Sequence, residues 1–368
     1  MKRFAHTPHK KCYNHFCMTP LERYLAVCNG QLPDRAPVSP FIMQFAAHVA
    51  GVSYRDYCLY GEVMARAQMM CVKKFGYDSV NVTSDAVREY QALGGPTADF
   101  GEESVPAAEP VPFINDVDDL KRLRLPDPLG DNPMREQIIA LKILLHELPD
   151  QPVYAWVEAP FQESCILRDI NYFMVDLRTN PELPREILKF VVEMETEFAY
   201  AQIEAGAQFI GIGDAIASLG SADDYAEFNF PYLSELVNRI KARGAYIKYH
   251  ACGRTKHIWK YIKQLNIDIL NLDSLIDFAE ARDFFGDKFV LKGNLNPITE
   301  MMDATPEIIH TASKRSFEQA GAHGKFILSP GCELPPSTPY ENLEALVESA
   351  RLYCSYATKD EGRTTNAS

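Results

Sequence analysis

From about residue 134 onward the chain alternates short, continuously apolar runs with longer amphipathic stretches. The apolar runs are Val153–Val157, Phe209–Gly213, Ala245–Tyr249, Ile269–Leu272, Phe289–Leu291 and Phe326–Leu328. Each has the length of a strand, and apolar character at nearly every position marks strands covered on both faces. Helical periodicity fills the gaps at Leu183–Ala205, Asp223–Arg243, Thr255–Leu265, Leu275–Phe285 and Pro306–Ala320, and a helix at Met134–Leu148 precedes the first run. Gly206, Gly244 and Gly286 fall where helix gives way to strand, the place where glycine ends helices.

Upstream, Thr19-Pro20 supplies an N-cap and a first-turn proline for a helix through Leu21–Cys28, stopped by Asn29-Gly30. Val38–Phe45 and Ser79–Thr83 are two further strand candidates, separated by helical sequence around Tyr54–Phe75 that ends at Gly76. A last helix runs from Tyr340 to about Tyr356. Eight strand candidates alternating with helices imply an α/β fold, a parallel sheet closed as a (β/α)8 TIM barrel. Residues 92–133 are rich in Pro, Gly, Asp and Glu and read as a long loop excursion over the barrel mouth. The expected organisation is an N-terminal extension and helix at 1–33, a single catalytic barrel at 34–356 and a loose polar tail at 357–368. No G-x-G-x-x-G follows any strand, which argues against a dinucleotide-binding fold.

Composition narrows the partners. The chain has 368 residues, 46% of them hydrophobic, and a net charge of -13. With no basic run, nucleic acid is not an expected partner. No apolar run approaches the roughly 18 residues of a membrane span. The N-terminus lacks the apolar region of a secretory signal, and nine cysteines are scattered and odd in number. The expectation is a cytoplasmic protein with reduced thiols available for metal or catalysis. His6, His9, Cys12, His15 and Cys17 crowd the first residues, and a second metal there is conceivable, although the spacing matches no zinc finger.

The chemistry gathers where strands end. In an extended chain residues i and i+2 share a face, so His250 and Cys252, just past the Ala245–Tyr249 run, converge on one point. Cys332 follows the Phe326–Leu328 run in Ser329-Pro-Gly-Cys332. One imidazole and two thiolates suit zinc with an open position for substrate. On spacing alone a His-x-Cys pair is weak, because cysteines are commonly buried as small hydrophobes. The barrel strengthens it, since active sites of such barrels lie at the C-terminal ends of the strands. Glu158, Asp214, Asp273 and Asn294 fall at the same ends and are candidate catalytic residues. Lys248 and Tyr249 are expected to pack outward against helices, Trp156 in the core, and Cys165 as a buried thiol.

Several blocks carry a family resemblance: Tyr249-His-Ala-Cys-Gly253, Gly293-Asn-Leu-Asn-Pro297, Thr305-Pro-Glu307, Phe326-Ile-Leu-Ser-Pro-Gly-Cys332 and Thr338-Pro-Tyr-Glu-Asn342. From Asp34 to Arg351 the chain resembles the uroporphyrinogen decarboxylase superfamily, and within it the zinc- and cobalamin-dependent methyltransferases. The resemblance implies Zn2+ on His250, Cys252 and Cys332, and methyl transfer between a corrinoid and a small thiol or methylated substrate. The chain has no D-x-H-x-x-G corrinoid-binding motif, so cobalamin would arrive on a partner corrinoid protein. Asp214 or Glu158 would fill the open metal position at rest or accept the thiol proton; alternatively such carboxylates cap helices or pair with Arg254 and Lys292. The decarboxylases proper grip their substrate's carboxylates with an R-Q-A-G-R-Y segment. The matching Phe41-Ile-Met-Gln-Phe-Ala-Ala-His48 has no arginine, which leaves tetrapyrrole decarboxylation as the alternative.

Overall fold

The computed structural model describes residues 18–98 and 101–356; the His6–Cys17 cluster and the tail at 357–368 lie outside them. Seven strands form one sheet: β1 (Val80–Asn81), β2 (Val153–Glu158), β3 (Phe209–Asp214), β4 (Tyr246–Ala251), β5 (Ile269–Leu272), β6 (Val290–Leu295) and β7 (Phe326–Pro330). Their spatial order is the chain order and every neighbouring pair is parallel. Helices α1 (Pro20–Cys28), α2 (Gln44–Ala50), α3 (Tyr54–Leu59), α4 (Gly61–Phe75), α5 (Arg88–Ala92), α6 (Val117–Arg122) and α7 (Pro133–Glu147) lie in the first part of the chain. After β2 come α8 (Pro160–Arg168), α9 (Ile170–Thr179) and α10 (Glu182–Glu204). The later crossovers carry α11 (Ala222–Asp224), α12 (Phe230–Ala242), α13 (Trp259–Ile262), α14 (Phe278–Phe285), α15 (Pro306–Ala320) and α16 (Tyr340–Tyr353). Right-handed crossovers between parallel neighbours curl such a sheet into a barrel.

The eighth strand is shorter than the expected Val38–Phe45. Single-residue bridges join Val38 to Leu328 and Phe41 to Glu333, and α2 already begins at Gln44. Pro37 and Pro40 have no N–H to donate, so a full ladder cannot form. The segment nevertheless spans the gap: Ser39 N–H donates to Leu328 O, Leu328 N–H to Pro37 O, and Asp78 N–H to Val38 O at 2.7 Å. Asp78 locks this closure. Its carboxylate accepts from Arg23 Nη1 (2.7 Å), Arg35 Nη1 (2.7 Å) and the Val38 N–H (2.6 Å), and is buried.

Other departures have local causes. The stretch expected as one helix at Tyr54–Phe75 breaks at Tyr60, which is extended. The expected Asp223–Arg243 helix holds a π turn at Tyr225–Asn229, and Thr255–Leu265 shrinks to a short 3-10 turn plus α13. Part of the 92–133 excursion packs on the helices that follow β2. There Phe113, Ile114, Leu120 and Leu123 meet Leu167, Leu183, Ile187 and Val191. It also reaches back toward the mouth, where Glu103 O accepts from Gln44 Nε2 (3.0 Å).

The barrel interior is layered. Alternate residues face inward, and the first inward layer, Tyr154, Phe209, Ile269, Val290 and Ile327, packs with Tyr24 and Val27 of α1. Thus α1, started by a Thr19–Glu22 capping box, plugs the N-terminal end. Two residues further along the strands come Trp156, Gly211, Lys248, Asn271, Lys292 and Ser329, all buried. Lys248 therefore points into the barrel, not outward, because it shares the face of His250. Its ammonium lies 4.4 Å from the Trp156 ring centre and 4.5 Å from that of Tyr154, a cation–π setting that offsets part of its desolvation. Tyr249 does face the outer helices, with its hydroxyl on Asp214 Oδ2 (2.8 Å).

Burial pushes the Lys292 ammonium down to about 7. Lys292 donates to Asn271 Oδ1 at 3.4 Å. Since its folded pKa lies below the unfolded value of about 10.4, the unfolded chain binds the extra proton between these limits, and stability rises with pH there. Lys292→Met is expected to flatten this rise, stabilising by a few kcal/mol more at pH 6.5 than at pH 10, on the order set by the shift. Urea unfolding of both proteins at the two pH values reads the difference.

Candidate metal centre

The top inward layer contains Glu158, His250, Asp273 and Asn294, with Cys252 and Cys332 on the loops just beyond β4 and β7. His250 Nε2 lies 2.9 Å from Cys252 Sγ and 3.8 Å from Cys332 Sγ, and the two sulfurs are 4.0 Å apart. The three ligand atoms, 80 residues apart along the chain at the two cysteines, form one compact triangle. Both cysteines are half-buried and His250 is buried.

Backbone geometry brings the sulfurs there. Gly253 follows Cys252 with φ +79°, a left-handed turn that favours glycine, and a Cβ on it would stand 2.2 Å from Ser218 Oγ. Asp273 Oδ2 accepts the Gly253 N–H (2.9 Å) and its Oδ1 accepts the Leu275 N–H (2.9 Å). Gly331 lies against the Ser274 backbone, where a Cβ would meet Ser274 N at 2.3 Å. The loops after β4, β5 and β7 are therefore fastened to one another around the triangle.

Electrostatically the two thiols move in opposite directions, because one hydrogen-bonds to the other. Hydrogen bonds from Cys252 and His250 push the Cys332 thiol down, against burial. Cys252 moves up, chiefly because it donates to Cys332 and is buried. Lowering one thiol favours the thiolate form that a metal ligand needs.

The four rim candidates stand near the triangle but outside it. Asp214 is fully buried, accepts from Asn229 Nδ2 (3.0 Å) and Tyr249 Oη, and has its pKa pushed up to about 6 by burial. It braces β3 and β4 behind His250. Glu158 accepts from Trp156 Nε1 (2.9 Å) and Gln162 Nε2 (2.6 Å), and burial raises its pKa. Asn294 donates to Ile276 O (2.7 Å), holding the loop after β5. Arg254 and Lys292 pair with none of the four in a hydrogen bond described here. Trp156 stacks on Phe41 at 5.1 Å inside the barrel, and Cys165 is a buried thiol in an apolar cluster. Glu333 went unremarked in the sequence, although it directly follows Cys332. Its Oε1 accepts the Gln44 N–H (3.1 Å), and burial pushes its carboxyl up to about 7.

A family profile described as uroporphyrinogen decarboxylase (URO-D) matches residues 19–353. The chain belongs to the uroporphyrinogen decarboxylase family. Among relatives of this family, the uroporphyrinogen decarboxylase of Trichlorobacter lovleyi is 26% identical over 339 residues, covering 89% of this chain and 97% of that protein. The methylcobamide:CoM methyltransferase MtbA of Methanosarcina acetivorans is also 26% identical, over 355 residues covering 95% and 98%. A solved methyltransferase from Methanosarcina mazei superposes with a TM-score of 0.82 at 22% identity, covering 91% of this chain and 99% of that one. That likeness shows the fold. Identity alone does not separate the family's decarboxylases from its methyltransferases, so the residues of the site must. Among the described residues no helix is long and apolar enough to cross a membrane.

Proposed function

We propose that this member of the uroporphyrinogen decarboxylase family is a zinc-dependent methyltransferase, moving a methyl group between a corrinoid carried on a partner protein and a small thiol. The observation that carries the reading is the triangle of His250 Nε2, Cys252 Sγ and Cys332 Sγ. One nitrogen and two sulfurs are a zinc donor set, and bond lengths of about 2.0–2.3 Å give a tetrahedron with edges of about 3.5–3.8 Å. The 4.0 and 3.8 Å separations lie near those edges; the 2.9 Å contact must open slightly to admit the ion. Three protein ligands leave a fourth position for substrate. Bound there, zinc would supply a substrate thiol held as thiolate at neutral pH.

The chain's own groups set up this chemistry. The hydrogen bond from Cys252 favours ionisation of Cys332, Asp273 holds the turn that presents Cys252, and the Asp214–Tyr249 bond fixes β3 against β4 behind His250. These are positioning roles. Tetrapyrrole decarboxylation finds no matching carboxylate grip, because the segment Phe41–His48 offers no arginine. The test is to incubate the purified, zinc-loaded protein with methylcobalamin and a small thiol, following loss of the methyl–cobalt absorption. Thiol- and zinc-dependent demethylation is expected. Absence of demethylation, with carbon dioxide released from a tetrapyrrole acid, would favour decarboxylation instead.

A further inference from the structure

A second group of ligand atoms lies behind the top of β2, away from the cysteines. Carboxylate oxygens of Glu89 in α5, Glu163 in α8 and Glu195 in α10 all fall within 4.8 Å of one another, and all three residues are buried. Neither oxygen of Glu163 has a hydrogen-bond partner among the described residues, and neither does Glu195 Oε1. Glu163 is fully buried. Such carboxylates are costly inside a protein unless something cationic meets them.

The nearby cation reaches only one of the three, Glu89, and only through space. Arg88 is committed to Gln137 Oε1 (2.7 Å), to Ser84 Oγ and, at 3.5 Å, to Asp85. Glu158 adds a further buried carboxylate on the other side, satisfied by Trp156 and Gln162. Around Glu163 the charged neighbours are all carboxylates, Glu89, Glu158 and Asp85, and neither of its oxygens is met by a donor among the described residues. The donor set is all oxygen, which suits hard ions rather than a thiolate-seeking metal. Oxygens on opposite sides of an ion with bonds of about 2.4 Å stand about 4.8 Å apart, and the trio fits within that span.

We propose that Glu89, Glu163 and Glu195 form a second, buried cation site for one hard divalent ion of the calcium or magnesium class. The ion ties α5, α8 and α10 together behind the end of β2. The backbone link already exists, since the Glu158 N–H donates to Glu195 Oε2 at 3.4 Å. The site thereby fastens the helical layer to the strand whose Trp156 and Glu158 line the barrel interior.

The full chain, purified in metal-depleted buffer without chelator, is measured by elemental analysis, together with a Cys252→Ser/Cys332→Ser double variant. Both should retain about one equivalent of calcium, magnesium or manganese, on the stoichiometry of a single site. Glu163→Gln should lose it, and wild-type protein grown with manganese should show a bound Mn2+ paramagnetic signal absent from the variant. A direct reading on wild type keeps the test decisive if Glu163→Gln fails to fold. No retained hard ion in wild type, with an infrared band of a protonated buried carboxylic acid, would overturn the proposal: protons, not a metal, would then neutralise the trio.

Discussion

Cys332→Ala is expected to abolish zinc retention and methyl transfer together while leaving the fold intact. The side chain sits on a half-buried loop after β7, so its loss opens no core cavity. What it removes is one of three ligand atoms in the triangle. Changing a group that merely supports a metal ligand lowers affinity about 10- to 100-fold, so losing a ligand itself should cost more than about 100-fold. Elemental analysis after dialysis and the methylcobalamin assay are the readouts. Cys165→Ala is the matched control: its thiol is buried in the Phe161, Phe173, Leu177 cluster, and zinc content should not change. Full zinc and full activity in Cys332→Ala would remove the proposed centre.

Asp78→Ala should be the most damaging single change away from the centre. Its carboxylate joins Arg23 and Arg35 and accepts the Val38 N–H, where the short eighth segment meets the chain leading into β1. Arg23 keeps Asp34 at 2.6 Å, but a buried charge network loses its central anion and Val38 its acceptor. Removing one partner of a buried pair costs about 3–5 kcal/mol, which lowers the melting temperature on the order of 10 °C. Asp78→Asn, which keeps oxygen and shape, should fall between. A thermal shift of under about 2 °C for Asp78→Ala would mean that the closure does not depend on this carboxylate.

Much of this architecture is legible in the sequence, for definite reasons. β2 to β7 are short apolar runs bounded by glycine and polar residues, and burial on both faces makes them readable without alternation. The position of His250 near the end of β4, of Cys252 just after it, and of Cys332 after β7 follows from where the apolar runs stop. The eighth strand was overread because Pro37 and Pro40 limit it to bridges. Helix α8 mixes buried Gln162, Glu163 and Ser164 with buried Phe161, Cys165 and Leu167, which blurs its helical pattern in the sequence. The same mixing hid the carboxylate trio: Glu163 and Glu195 occupy helix positions that read as solvated. Lys248 faces inward because it shares the parity of His250, and the aromatic rings of Tyr154 and Trp156 make an inward ammonium tolerable. The donor set of one imidazole and two thiolates points to zinc, and the family resemblance implies the same ion.

Zinc-edge X-ray absorption on the protein as purified tests the centre most directly. The account predicts one zinc with two sulfur neighbours at about 2.3 Å and one nitrogen at about 2.0–2.1 Å, the remaining position taken by a light atom until a thiol adds a third sulfur. A folded protein that carries no zinc, or zinc with only oxygen and nitrogen neighbours, would contradict it.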